Sequence, residues 1–462
     1  MPSVPTRAAS PPEHQTKGGN VGSVSPRVTA ASHFQYSPWP ALRNLHRAWP
    51  TMAGPHEGYR MSKNKQRAIS PRYRAQALIE RRNRKMARSA HAYVRGNTGQ
   101  FYAWLAGPDA PQLPSGPAIW ICGDCHVGNM GPVADDQGHV QIQIRDFDQA
   151  TISNPAYDLI RLALSLAMAA RGSDLPGITT AKMLEAMLDG YENAFPEVDE
   201  PEPAMPGAIK LVMKRALRRG WKALARERIH DIEPTLPLGA EFWPLTVKED
   251  KAIDALFRDE QLRELATQLR HRKSTGEVKV LDAAYWRKGC SSLGRLRYAV
   301  LLDVDGDMVE GDDLCLIDIK EAAASVAPRA DGVRLPRDHA QRVVAAARQL
   351  SPALGNRMLA MRLLDKPVFV RELLPQDLKI DIVKLSRKQA TKAAAFLAHV
   401  LGRAHSRQMD AATRQRWRNE LQRNHMRTLD APSWLWRAVT GLLSMHERDY
   451  LDHCRLYVGG SA

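Results

Sequence analysis

The chain has 462 residues and is 44% hydrophobic, enough for one large or two to three ordinary domains around a buried core, which excludes a wholly disordered protein. No run approaches the roughly 18 consecutive apolar residues of a membrane span, and Met1 to Ser37 holds no apolar stretch fit for a secretory signal, so a cytoplasmic protein without a membrane partner is expected. The formal charge of +16 favours an anionic partner: a nucleotide, a nucleic acid or an acidic protein.

Residues 1–35, rich in Pro, Ser, Gly and Thr without an apolar period, read as a disordered tail. Residues 60–275 read as a helix-rich part. Its first segment, Tyr73 to about Leu105, has a helical pattern that includes Ala77, Leu78, Met86 and Tyr93 among arginines, interrupted near Arg95-Gly96. Ala118 to Cys122 is a short buried strand that delivers the chain into Gly123-Asp124, and Gln141 to Asp148 is a second strand. Asn154-Pro155 opens a helix over Leu159, Leu162, Leu164 and Leu166 as far as Ala170, and another follows from roughly Thr180 to Phe195. Pro201 to Pro206 is a linker, after which a basic helix runs from about Gly207 to Ile229. Residues 276–375 form a β-rich part, with strands at Val278 to Leu281, Arg297 to Val304, Leu314 to Lys320 and Pro367 to Leu373. This part also holds an Asp305-Gly306 turn and a helix from Arg337 to Leu350. Residues 376–458 are C-terminal helices that pack on the helix-rich part, opening with a long one from Ser386 to Arg407.

The pentad Cys122-Gly123-Asp124-Cys125-His126 supports two incompatible chemistries. As Cys-x-x-Cys-His it is a signal for haem attachment, zinc or a redox dithiol. Haem attachment needs exposed thiols in an oxidising compartment, and structural zinc needs further ligands at partner spacing. The other cysteines, Cys290, Cys315 and Cys454, supply no such spacing and no disulfide framework. As Gly-Asp-x-x-x-x-Asn followed by Asp146-Phe147-Asp148, the same stretch is a phosphoryl-transfer site. On that reading Asp124 would accept or orient the proton of the attacking hydroxyl, Asn129 and Asp146 would hold the magnesium that neutralises phosphate charge, and a hairpin can bring all three to one edge.

Three motifs in order carry a resemblance: Gly123-Asp124-Cys125-His126-Val127-Gly128-Asn129, Asp146-Phe147-Asp148-Gln149-Ala150, and Asn154-Pro155-Ala156-Tyr157-Asp158-Leu159. They resemble the catalytic-loop, metal-binding and following-helix motifs of aminoglycoside and choline phosphotransferases, which share the protein-kinase-like fold. The resemblance implies Asp124 as catalytic residue, Asn129 and Asp146 as metal ligands, and Asp158 as a structural carboxylate bracing the loop. Cys122 departs from the pattern, since those enzymes usually have His there.

Such a site also needs a glycine turn over the phosphates and a strand lysine. Both lie downstream: Gly289, Ser291, Ser292 and Gly294 belong to a turn whose N–H groups suit phosphate, and Lys320 ends a strand from which it reaches the α and β phosphates. The catalytic loop therefore precedes the nucleotide-binding part, the order of a circular permutation. With Tyr93-Val94-Arg95-Gly96, Lys320-Glu321-Ala322, Val370-Arg371-Glu372-Leu373 and Gly402-Arg403-Ala404-His405 in the same order, residues 60–410 are similar to the uncharacterised bacterial family called domain of unknown function 2252.

The resemblance implies an α+β, two-lobed protein-kinase-like fold, circularly permuted, with a helix-rich catalytic lobe and a β-rich nucleotide lobe. The expected function is an ATP- and Mg-dependent phosphotransferase acting on a hydroxyl acceptor. AMP transfer by the same site, a non-catalytic pseudokinase scaffold and a basic nucleic-acid-binding protein are the alternatives.

The helix Arg337 to Leu350 lacks the glutamate that pairs the strand lysine in kinases and has only Asp338, at its start. Glu321 and Glu372 remain as substitutes, although Glu321 should face away from Lys320. His405 reads as a capping or core residue, and Arg95 as either a phosphate clamp or the partner of a buried carboxylate. The basic block Arg72 to Arg88 reads as a solvated helix face, or alternatively as a nucleic-acid contact.

Overall fold

The computed structural model describes residues 70–197, 201–218, 235–267, 277–289, 294–304, 314–374, 380, 386–422 and 432–457, all within the unit Lys65–Ala462. The expected tail, the Asp305-Gly306 turn, Ser291, Ser292 and the basic helix beyond Arg218 lie outside the described residues.

Helices α1 (Pro71–Met86), α2 (Ala90–Gly96) and α3 (Thr98–Leu105) fill the first helical stretch. Four short strands follow: β1 (Ile119–Ile121), β2 (Met130–Ala134), β3 (Val140–Ile144) and β4 (Thr151–Ser153), paired antiparallel as β1 with β4 and β2 with β3. Next come α4 (Ala156–Arg171), α5 (Gly177–Glu192) and α6 (Gly207–Leu217). Leucines, isoleucine and alanines are buried on every side of α4, as expected of a helix with neighbours all round.

The chain then alternates through β5 (Phe242–Trp243), α7 (Val247–Leu256), α8 (Glu260–Thr267), β6 (Val278–Trp286), β7 (Arg297–Val304) and β8 (Leu314–Glu321). It continues through α9 (His339–Leu350), α10 (Pro352–Gly355), β9 (Met358–Leu363) and β10 (Lys366–Leu373). The last elements are α11 (Arg387–Ser406), α12 (Ala411–Leu421) and α13 (Ser433–Tyr457). The fold is mixed α+β. Among the described residues no helix is long and apolar enough to cross a membrane.

Strands β5 to β10 form one antiparallel sheet in the order β5-β6-β7-β8-β10-β9. In β8 the alternation puts Cys315, Ile317 and Ile319 in an apolar cluster with Ile253 and Leu262 of α7 and α8, and sends Asp318 and Lys320 to the other face. Burying each such apolar side chain contributes roughly 1.5–3 kcal/mol, so the register of this sheet is strongly held.

The sheet differs from the sequence expectation at three places. The strand expected at Val278 to Leu281 runs on to Trp286 past a register shift between Val280 and Asp282, which breaks the alternation a reader looks for. Strand β5 has two residues, too few for a periodic signal. Strand β9 joins β10 through Leu364 and Asp365, both at positive φ, 52° and 62°. That two-residue turn normally advertises itself with Asn or Gly, and here it does not.

Candidate phosphoryl-transfer site

Strand β1 ends at Ile121, and the backbone just beyond it is captured by one carboxylate. The N–H groups of Cys122 and Gly123 donate to Asp158 Oδ2 and Oδ1 at 2.7 and 2.9 Å, from the first turn of α4. His405 of α11 holds the same carboxylate, its Nε2 3.3 Å from Oδ2, while its Nδ1 lies 2.9 Å from the Tyr191 hydroxyl. Asp158 thus braces the loop, and His405 is a core residue. Gly123 sits at φ +72°, and a Cβ there would fall 2.0 Å from the Gln149 carbonyl oxygen. Only glycine fits this turn.

Asp124 follows directly. Its Oδ1 accepts from Arg161 Nε at 2.9 Å, and its Oδ2 lies 4.0 Å from His126 Nε2. Arg161 is fully buried on α4 and also donates to the Val94 carbonyl at 2.7 Å, so the carboxylate is held in one orientation. Burial raises the Asp124 pKa, with Arg161 opposing. Burial, and then the charges of Arg95 and Arg161, push the His126 imidazole well below its usual range, so it is neutral.

Asn129 ends a 3₁₀ turn, Val127–Asn129, and β2 leaves from it. Its Nδ2 donates to the Asp146 carbonyl at 2.9 Å and, at 3.3 Å, to the Asp124 carbonyl and to Cys122 Sγ. The amide nitrogen is thereby tied to the protein, and Oδ1 has no hydrogen-bond partner among the described residues. Cys122 also sits 3.4 Å from the Asp146 carbonyl, so the thiol links the two ends of the β2–β3 hairpin. Asp146 lies two residues beyond β3 rather than on it, because the ladder stops where Arg145 N–H donates to the Asn129 carbonyl at 2.9 Å. The shift leaves its side chain half-exposed.

Lys320 reaches this loop from the sheet. Its Nζ lies 2.5 Å from Asp148 Oδ2 and 3.4 Å from Asp146 Oδ1, joining residues 174 positions apart. It is buried, not a surface lysine. Burial opposes ionisation of Asp146, but Lys320, Arg371 and Arg297 outweigh it and hold the carboxyl below the usual range. Burial and the adjacent Asp146 push Asp148 up to about 6, against the pull of Lys320.

The carboxylate closest to Lys320 is therefore that of Asp148, and not a glutamate of α9. Glu321 instead accepts from the Leu296 N–H at 2.9 Å, and Glu372 lies buried beside Cys315. In α9, Asp338 caps the helix by accepting from Ala340 and Gln341 N–H. The helix grips the Asp148 segment through Arg342, which donates to the carbonyls of Asp148 at 2.9 Å, Ala323 at 2.8 Å, and Ala150.

Two more arginines project from the same sheet face as Lys320. Arg297 binds Asp318 in bidentate fashion at 2.9 and 2.6 Å, and Arg371, directly across the ladder from Asp318, approaches it at 3.2 Å. Asp318 is fully buried. Burial disfavours its charge, but Arg297 and Arg371 outweigh that and keep it ionised.

Of these groups Asp124, His126, Asn129, Asp146, Arg297 and Arg371 border a cavity of about 180 Å³. Among the described residues six cations line it, Lys85, Arg95, Arg145, Lys288, Arg297 and Arg371, against the two carboxylates Asp124 and Asp146. Gly289 borders it at φ +111° and its carbonyl accepts from Lys85 at 2.8 Å; Gly294 lies at φ +104°. Both ends of the expected glycine turn thus adopt backbone that suits glycine. Cys122 and Cys125 are fully buried and burial pushes both thiols up, an environment unlike the exposed thiols of haem attachment or the thiolates of a zinc site. The basic block on α1 is not one solvated face: Arg74 is buried against Glu249, and Lys85 turns to the cavity.

Asp148, Arg161, Arg297 and Arg342 were not singled out from sequence. Only Asp148 carried a signal, as the second carboxylate of Asp-Phe-Asp. The arginines acquire meaning from partners 21 to 192 positions away.

The family model described as "Uncharacterized protein conserved in bacteria (DUF2252)" matches residues 74–456. No curated protein and no solved structure matches the chain.

Proposed function

The chain belongs to the DUF2252 family, and from that premise we propose that it is an ATP- and Mg-dependent phosphotransferase of two-lobed, circularly permuted protein-kinase-like architecture. The observation that carries the reading is the meeting of Lys320 with Asp146 and Asp148 beside Asp124 and Asn129. The catalytic lobe would be the helical part around α4, α5 and α11, and the nucleotide lobe the six-stranded sheet.

The donor set fits magnesium. Asn129 Oδ1 and the half-exposed Asp146 carboxylate are hard oxygen donors, and this ion characteristically takes one or two protein ligands and completes its shell with phosphate and water. When bound, it would neutralise charge on the phosphates. Lys320 would exchange part of its contact with Asp146 for a phosphate oxygen. Arg297 and Arg371, already oriented by Asp318, would meet phosphate charge with little reorganisation. A cavity of about 180 Å³ is below the roughly 300–1,000 Å³ of whole-ligand pockets, so it suits the phosphate end of a nucleotide. The acceptor oxygen would bond to the γ-phosphorus as its proton passes to Asp124, and the bond to the β–γ bridging oxygen would break with ADP as leaving group. Burial that raises the Asp124 pKa makes it a better base for that proton.

The test is a thermal shift of the full chain with ATP, with and without magnesium, on wild type and Asp146→Asn. A magnesium-dependent shift in wild type that is lost in the variant is expected; no shift in either protein refutes the reading. Transfer of label from the γ rather than the α phosphate separates phosphorylation from AMP transfer. Asp124→Asn should keep nucleotide binding and lose about 10²–10⁴ in turnover.

A further inference from the structure

Resting on the phosphotransferase reading, we propose that the hydroxyl acceptor is itself an anion, whose carboxylate or phosphate group is held by Arg95 on the Asp124 side of the cavity. Arg95 lies in the last turn of α2 and lines the cavity. Its guanidinium rests against Gly128 so closely that a Cβ there would come within 2.8 Å of Cζ and 3.0 Å of both terminal nitrogens. The loop that carries Asp124 and Asn129 therefore has a gap shaped to admit this group.

Among the described residues no acidic side chain pairs with the charge so admitted. The Arg95 side chain makes no ion pair or hydrogen bond among the described residues, and its Nε is buried without a partner. A buried guanidinium donor without an acceptor is costly, and an anionic ligand group relieves it. His126, three residues before Asn129, borders the same side and has a buried Nδ1 that also lacks a partner among the described residues.

The nucleotide phosphates do not need Arg95. Lys320, Arg297 and Arg371 come from the sheet and already face the metal-binding carboxylate, whereas Arg95 lies against the loop that presents Asp124. A cationic acceptor, such as an aminoglycoside or choline, is a poor match for a cavity whose described lining has six cations and two carboxylates, each carboxylate already having a role in the proposed chemistry.

The test uses the full chain at saturating Mg·AMPPNP, with inorganic phosphate as the anionic probe and choline as the cationic one, read by thermal shift and by titration of the shift. Wild type should gain a further shift from phosphate and none from choline. Arg95→Gln should keep the nucleotide shift and bind phosphate about ten- to hundredfold more weakly, and Arg95→Lys should recover part of that loss. The unliganded melting temperature of each variant shows whether it folds.

Three outcomes overturn the inference: a phosphate increment unchanged in Arg95→Gln, which marks an adventitious ion only; a nucleotide shift lost in that variant, which assigns Arg95 to the nucleotide; or an increment from choline alone. If Mg·AMPPNP gives no shift in wild type, the phosphotransferase reading fails on its own. Phosphate titration of wild type and Arg95→Gln without nucleotide then decides whether Arg95 holds an anion.

Discussion

Removing the Lys320 charge tests the centre of the proposed site. In Lys320→Met the aliphatic stem is kept while the ammonium between Asp146 and Asp148 is lost. The lysine and Asp148 side chains are only 4% and 8% exposed and 2.5 Å apart, so water compensates poorly. Breaking a buried pair by deleting one partner costs about 3–5 kcal/mol, and that is the expected loss by urea unfolding at pH 8. The loss should shrink in acid. A carboxyl whose folded pKa is raised, as that of Asp148 is to about 6, contributes stability that is full below 3.8 and lost as pH rises through the folded value. Without Lys320 its pKa rises further, so the variant loses more than wild type between pH 5 and pH 8. The two penalties should differ by at least about 1.4 kcal/mol, the equivalent of one pKa unit. Nucleotide affinity should fall about ten- to hundredfold. A penalty below about 1 kcal/mol that does not change with pH would refute the reasoning, since an exposed lysine would behave that way.

Two further outcomes concern the loop before Asp124. Gly123→Ala should destabilise the protein by at least 1–3 kcal/mol, because the turn needs positive φ and the new Cβ meets the Gln149 carbonyl; equal urea midpoints for the two proteins would show that the turn is not required. Asp158→Asn turns an amide nitrogen toward one of two N–H donors, at about 1–3 kcal/mol for the stranded group. It should also accelerate hydrogen exchange at Cys122 and Gly123, and unchanged exchange there would exclude the brace.

The legible parts of this protein were those whose signal is local. Helix α4 shows dense leucines behind Asn154-Pro155, and α11 shows a Ser386-to-Gln389 capping box before an apolar stripe. The loop Gly123 to Asn129 and the carboxylates after β3 lie within one short stretch, so their spacing could be read before any folding was known. The β9–β10 hairpin stayed hidden because its turn, Leu364-Asp365, lacks the residues that usually announce it.

Sequence by itself determined which residues the proposed phosphoryl-transfer site is built on, Asp124, Asn129, Asp146 and Lys320, and the order in which they occur. Tertiary structure alone decided their partners: Asp148 for Lys320, Arg161 for Asp124, Asp158 and His405 for the loop backbone, and Arg95 with no partner among the described residues. The division has a physical cause. Covalent spacing fixes what lies within a turn or hairpin, whereas an ion pair between residues 174 positions apart depends on packing a sheet face against a loop.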